Sequence, residues 1–176
     1  MLKDKQLILK PFDFVLAVKV AVSNGPDFRM ALLAEEFGVS LSTIHESLKR
    51  AEAARMLSRS TGPLRAIRVA LQEFAVHGLK YAFPAAAGRA ARGVATAIGA
   101  PVLAKHFAAG GSPVPVWPTP DGTTYGFEIV PLHPSVPQAA LRDQALYDVL
   151  ALVDAIRVGA AREREIAVKE LQAQLR

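Results

Sequence analysis

The sequence predicts a mainly α-helical fold with a small β component near its middle. Apolar residues recur with a helical period through residues 11–57 and again through residues 144–175, which indicates helices packed on a core. Between them, residues 79–137 hold nine of the twelve prolines, a density that excludes long helices. We therefore expect three parts: a helical region over residues 1–78, a β-hairpin region over residues 79–137, and C-terminal helices over residues 138–176.

Composition is typical of a soluble cytoplasmic protein. The 176 residues include no cysteine, which excludes a disulfide framework and thiolate metal sites and fits a reducing compartment. Charges interrupt the first twenty residues, so we expect no signal peptide. The alanine-rich, charge-free stretch Gly93–Ala104 is too short to span a bilayer, and we expect no membrane contact.

The basic residues are unevenly distributed. The formal net charge is +5, and residues 40–68 hold six basic side chains against two acidic ones. Such an excess at one end favours a polyanionic partner, although a solvated basic face would show the same count.

The first helix is predicted to begin at Pro11, a residue suited to the first helical position, and to end near Ser23. Its apolar side chains nearly encircle it: Phe12, Phe14, Val15, Leu16, Val18, Val20 and Val22. A helix of this kind needs covering on more than one side, so we expect a second domain or a second subunit to pack against it.

Two short helices follow, over residues 28–37 and 40–54. Gly38 can adopt the left-handed conformation that ends a helix, and the Ser40 hydroxyl can cap the next one. Ile44, Leu48 and Ala51 are predicted to face inward. The outward face is then polar and basic, a pattern that suits a helix in the DNA major groove, and comprises Ser42, Thr43, His45, Glu46, Lys49 and Arg50.

This segment resembles the winged helix-turn-helix domains of bacterial transcription regulators, the MarR-like and GntR-like groups in particular. The resemblance covers about thirty residues and is carried by Leu33-Ala34, Phe37-Gly38-Val39-Ser40, Ser42-Thr43-Ile44, Leu48-Lys49-Arg50 and Met56-Leu57. It implies a sequence-specific regulator that binds double-stranded DNA as a homodimer. Two positions depart from the pattern: Arg55 stands where a glycine is common, and Glu46 places a carboxylate on the outward face.

Each candidate DNA-binding residue has an expected role. We expect Ser42, Thr43, His45 and Glu46 to meet base edges. Five basic residues are expected to contact phosphates: Lys49, Arg50, Arg59, Arg65 and Arg68. Leu57 to Ser60 can form the first strand of a wing. Residues 61–69 fit either a returning strand or a helix from Pro63, and the helical spacing of Leu64, Ile67, Leu71 and Phe74 favours the helix, which leaves the wing short or absent.

The proline-rich region is predicted to contain one β-hairpin. Residues 113–117 and 123–130 flank the turn signal Thr119-Pro120-Asp121-Gly122, with Trp117, Tyr125 and Phe127 as packing residues. A short strand is predicted over residues 81–83, and residues 85–109 are expected to form a loop with a short helix over residues 102–107. Gly88–Gly93 has the glycine spacing of a phosphate-binding loop but lacks its Lys and Ser/Thr, which favours a plain flexible loop.

Two helices are predicted to close the chain. Asp143 can cap a helix over residues 144–158, and Gly159 separates it from a charged helix over residues 160–175. The second helix has a thin apolar stripe, Ile166, Leu171 and Leu175, which we interpret as a dimer contact.

No motif indicates catalysis, a metal site or a cofactor. The four histidines do not pair at helical spacing with each other, and no serine lies in a nucleophile setting. We therefore predict a DNA-binding regulator and not an enzyme. The alternative is a protein-interaction module, an antitoxin-like or operon-partner subunit that uses the helix-turn-helix as a scaffold. Small-ligand sensing in residues 79–137 is a third hypothesis.

Overall fold

A computed structural model describes residues 7–23, 29–60, 62–107 and 113–176. Its N-terminal part contains three helices, α1 (Pro11–Val22), α2 (Met30–Phe37) and α3 (Leu41–Ala53). Two short antiparallel strands follow, β1 (Leu57–Ser58) and β2 (Arg65–Ala66). The strands form a small antiparallel pair, which we call the wing, so the prediction of a helix from Pro63 is wrong. Met56 accepts a hydrogen bond from the Ile67 amide, which returns the chain to α3 before the next helix begins.

The helix after the wing contains a π-helical turn. It comprises α4 (Arg68–Glu73), the π turn (Phe74–Gly78) and α5 (Leu79–Ala82). The absence of a side chain at Gly78 matters here, because a Cβ would lie 2.8 Å from the Phe74 ring. The helix extends to Ala82, so the prediction of a strand over residues 81–83 is wrong.

The middle of the chain forms a small closed barrel of three strands. These are β3 (Ala87–Ala95), β4 (Val114–Pro118) and β5 (Thr124–Ile129), and a 3-10 turn (Ala97–Gly99) and the short helix α6 (Pro101–Ala104) connect β3 to the residues before β4. Both β4 and β5 pair antiparallel with β3, whereas they pair parallel with each other. The predicted strands near 113 and 123 exist, but the predicted antiparallel hairpin between them is wrong, as is the flexible loop predicted over Gly88–Gly93.

Glycines allow the barrel strands to cross at close range. A Cβ on Gly93 would lie 2.0 Å from the Trp117 carbonyl oxygen, and one on Gly126 would lie 1.9 Å from the Val114 carbonyl oxygen. At Gly122, a Cβ would meet the backbone of Gly93 at 2.1 Å. No side chain fits at these distances, so the barrel requires glycine at all three positions.

The C-terminal part contains α7 (Val136–Arg142), α8 (Gln144–Val158) and α9 (Ala161–Gln174). Asp143 caps α8 as predicted, because its carboxylate accepts a hydrogen bond of 3.1 Å from the Leu146 amide. Leu146 to Ile156 are mostly buried, and α8 packs against α1, α9 and the 3-10 turn. The chain itself therefore covers the apolar helix α1, through α3, α4, β2 and α8.

A buried carboxylate joins the barrel to α8. Asp154 accepts hydrogen bonds from the Trp117 indole at 2.5 Å, from the Thr96 hydroxyl at 3.0 Å and from Arg157 at 2.6 Å. Trp117 is thus a packing residue as predicted, and Phe127 is half-buried. Tyr125 is 75% exposed, so its predicted packing role is wrong.

The apolar stripe of α9 is used within the chain. Leu171 and Leu175 are buried in the same core as α8, and Ile166 packs at its edge. The interpretation of this stripe as a dimer contact is therefore wrong. Within the described part of the chain, none of the helices is both long and apolar enough to cross a membrane.

Candidate nucleic-acid interface

The turn between α2 and α3 has the predicted geometry. Gly38 adopts a left-handed conformation with φ 60° and ψ 35°, and its amide donates to the carbonyls at the end of α2. The Ser40 hydroxyl then accepts a hydrogen bond of 3.1 Å from the Thr43 amide and caps α3. Leu33 and Phe37 of α2 and Ile44 and Leu48 of α3 are buried. The two helices are therefore held in a fixed relation by local capping and by a shared core.

The outward face of α3 carries most of the predicted residues. Ser42, Glu46 and Lys49 recur at i, i+4 and i+7 on the side opposite the buried residues, and all three are exposed. The Ser40 hydroxyl lies 2.8 Å from that of Ser42 and 2.9 Å from that of Thr43, so these side chains form a small polar cluster at the start of α3.

Glu46 and Lys49 are the two charged residues of this row, and they differ in their ion-pair partners. Glu46 is exposed, and its carboxylate lies 3.6 Å from the imidazole of His45. Lys49 is exposed and makes no ion pair with any described residue. The centre of the face therefore combines one carboxylate with one available ammonium group.

Arg50 was expected on the outward face, but it faces inward, toward α1. Its guanidinium donates two hydrogen bonds, of 2.8 and 2.7 Å, to the carboxylate of Asp13, which is completely buried at the start of α1. These hydrogen bonds raise the pKa of Arg50 above its ordinary value. Asp13 also accepts from the Ser47 hydroxyl at 2.6 Å and from the Lys10 amide at 2.7 Å. Arg50 therefore fixes α3 against α1.

Arg59 follows the first strand of the wing, and Arg65 lies in its second strand. Both side chains are exposed. Arg59 donates a hydrogen bond of 2.8 Å to Glu52 of α3, whereas Arg65 makes no ion pair among the described residues. Arg55, which precedes the first wing strand, has a φ of 57°. It adopts the left-handed conformation for which the expected glycine would carry no steric cost.

Arg68, predicted to adjoin the DNA backbone, is exposed, but its guanidinium is hydrogen-bonded within the chain. As the first residue of α4, it donates to the Ala21 carbonyl at 3.0 Å and to the carbonyl of Arg176. Gln72, one turn later, donates to the Leu175 carbonyl at 3.0 Å. These contacts hold the end of α1 and the end of α9 against α4, which explains the position of Arg68.

A half-buried lysine connects α1 to α2 and to the start of α8. Lys19 of α1 contacts Glu36 of α2 at 2.6 Å and the α8 cap Asp143 at 2.7 Å. Burial disfavours both charged forms. The hydrogen bonds nevertheless prevail, so they raise the pKa of Lys19 and lower the pKa of Asp143. Their partners lie far apart in the chain, so no sequence pattern identified this contact. The contacts of Asp13 leave only one local sign in the sequence, which is the acidic residue itself in the first turn of α1.

The arrangement can contact a polyanion but offers no metal site within the described residues, where no group of three or more His, Asp or Glu side chains is suitably placed. Exposed hydroxyls, an imidazole and Lys49 lie on α3, and the exposed Arg65 lies on the wing that follows it. No family model, no curated protein and no solved structure matches the chain.

Proposed function

We propose that the chain is a winged-helix DNA-binding regulator that acts as a homodimer on double-stranded DNA in the cytoplasm. The observation that carries the proposal is the capped helix α3, with an exposed polar row and a two-stranded wing directly after it. A helix with this exposure can enter a major groove, while a wing of this size can lie along the adjacent backbone.

The proposal narrows the set of DNA-contacting residues. Lys49 and Arg65 are the cations available for phosphates, and Arg59 can join them by exchanging its exposed contact with Glu52. Arg50 and Arg68 are assigned to the framework, because their guanidinium groups are bound within the chain. Ser42, Thr43 and His45 are the candidates for base edges.

Glu46 has a distinct role under this proposal. Its carboxylate lies in the middle of the outward row and repels phosphates, which weakens binding to arbitrary duplexes. It can also accept a hydrogen bond from a cytosine amino group. We therefore expect Glu46→Gln to strengthen binding to unrelated duplexes more than binding to the preferred one.

The test is a fluorescence-anisotropy titration with a duplex from the DNA upstream of its own coding sequence, at about 50 and 200 mM salt. Each phosphate contact contributes roughly 0.9 to the salt slope of the binding constant. We expect Lys49→Ala/Arg65→Ala to reduce that slope by about 2. Arg162→Ala, which removes an exposed cation from α9, is the matched control and should leave the slope unchanged.

Two results would contradict the proposal. One is a double variant that is folded, by circular dichroism, and binds like the parent at both salt concentrations. The other is an equal loss of binding in the Arg162→Ala control, which would indicate attraction by net charge alone. A chain that binds a co-purified protein and does not bind DNA would favour the interaction-module alternative.

A further inference from the structure

A cleft lies between the π turn and the last helix, away from α3 and the wing. We call it the α9 cleft, and its volume is about 490 Å³. That size is within the range of small-molecule sites, which span roughly 300–1,000 Å³. The side chains used below come from the π turn, α5, α8 and α9, namely Val76, Lys80, Ile156, Arg164, Val168 and Lys169.

The floor of the α9 cleft is apolar. Val76 of the π turn, Ile156 of α8 and Val168 of α9 line it. Ile156 is buried and belongs to the core, and both valines are half-buried and pack against that core. The floor is therefore an apolar surface continuous with the core.

The rim of the α9 cleft is positively charged. Lys80, Arg164 and Lys169 line it together with Glu165, so three cations minus one carboxylate leave a charge of +2. The Lys169 ammonium forms an ion pair with the Glu165 carboxylate, at a distance of 2.8 Å. Lys80 and Arg164 are half-buried, and neither makes an ion pair among the described residues. The ammonium of Lys80 lies 4.7 Å from the centre of the Tyr81 ring, which adds a contact but no countercharge.

A partly buried cation without a countercharge favours the approach of an anion. Lys80 of α5 and Arg164 of α9 line the same cleft, so a ligand on the apolar floor lies in the cleft that both cations line. Inorganic phosphate would use only the rim. A neutral apolar molecule would use only the floor.

We propose that the α9 cleft binds a small amphipathic anion, an apolar body that carries one carboxylate. The carboxylate accepts hydrogen bonds from Arg164 and Lys80, and the apolar body lies on Val76, Ile156 and Val168. A charged hydrogen bond at such a site strengthens binding by about tenfold. This binding is independent of any role of α3.

Isothermal titration calorimetry of the full chain tests the proposal with four probes: hexanoate, octanoate, decanoate and naphthalene-2-carboxylate. Octanamide serves as the neutral probe and inorganic phosphate as the probe without an apolar body. We expect saturable binding of at least one carboxylate at one site per chain. Octanamide and phosphate should bind at least about tenfold more weakly than that carboxylate.

Variants locate the site. Lys80→Gln/Arg164→Gln should weaken the carboxylate by more than tenfold, on the order of two charged hydrogen bonds. Arg162→Gln, an exposed position two residues before Arg164, should bind like the parent. Should Lys80→Gln/Arg164→Gln fail to fold, Val168→Asp, which places a carboxylate beside the floor, must weaken the carboxylate instead. Failure of all four carboxylates to bind, equal affinity for octanamide, or equal losses in Arg162→Gln would each overturn the proposal.

Discussion

Replacing Asp13 with Asn should destabilise the chain far more than its position near one end implies. The substitution keeps the shape of the side chain and one oxygen acceptor, but it removes the charge that Arg50 contacts through two hydrogen bonds of 2.8 and 2.7 Å. The Asp13 side chain is completely buried, and that of Arg50 is 14% exposed. Arg50 would therefore remain as a largely buried cation without a countercharge.

Breaking a buried ion pair from one side costs about 3–5 kcal/mol. We expect about 3 kcal/mol for Asp13→Asn, because Arg50 keeps some exposure to solvent and Ser47 can still donate to the amide oxygen. With a urea dependence of about 2 kcal/mol per molar, the unfolding midpoint should fall by about 1.5 M. Since typical domains are stable by roughly 5–15 kcal/mol, the variant should still fold.

The assay is urea unfolding followed by circular dichroism at neutral pH. Glu52→Gln, which breaks the exposed contact with Arg59, is the matched control and should cost less than about 1 kcal/mol. The double variant Asp13→Asn/Arg50→Met should lose about 2 kcal/mol less than the sum of the single losses, because it leaves no buried charge. Losses that add to within about 0.5 kcal/mol would refute the reasoning.

Three further outcomes are expected. Arg55→Gly should raise the free energy of unfolding by up to about 1 kcal/mol, because glycine adopts the left-handed conformation of this position without steric strain. Arg55→Ala should not raise it, and equal urea midpoints for the two variants would contradict this prediction. Gly93→Ala should abolish the near-ultraviolet circular dichroism of Trp117, because its Cβ would lie 2.0 Å from that residue's carbonyl oxygen. Gly88→Ala is the control, since its Cβ would approach the Glu128 side chain no closer than 3.1 Å. Burial lowers the pKa of His133 below the ordinary 6.5, so the fold favours the neutral ring, and stability should fall as the pH drops from 6.5 toward the folded pKa. Urea midpoints at about pH 7.5 and 5.5 should differ less in His133→Phe than in the parent, and an unchanged pH dependence would rule this out.

Features determined by neighbouring residues could be predicted from the sequence. The left-handed Gly38, the Ser40 cap and the Asp143 cap each depend on an amide within a few residues, so each leaves a local signal. The mainly helical fold with a small sheet follows from the same kind of pattern. The outward row of α3 was predicted for the same reason, because helical periodicity separates it from Ile44 and Leu48.

Features determined by distant partners could not be predicted from the sequence. Arg50 lies 37 positions from its partner Asp13, and Arg68 lies 108 positions from its partner Arg176. In the sequence, Arg50 and Arg68 therefore resemble free surface cations. The strand β3 is rich in alanine, which has a low intrinsic preference for strands, and forms because β4 and β5 pair with it. The turn predicted at Thr119–Gly122 forms, since the Gly122 amide donates to the Thr119 carbonyl. The strands on either side of it are nevertheless parallel to each other, and each pairs antiparallel with β3.

The three glycines of the barrel bear on how relatives of this chain could be found. Exposed residues such as Tyr125 can change without a steric cost, so overall identity can decay while the fold persists. Gly93, Gly122 and Gly126 cannot change in this way, because a backbone atom occupies the place of each missing Cβ. A search pattern built on the spacing of these glycines, together with the buried Trp117 and Asp154, would rest on positions that the packing of the barrel constrains.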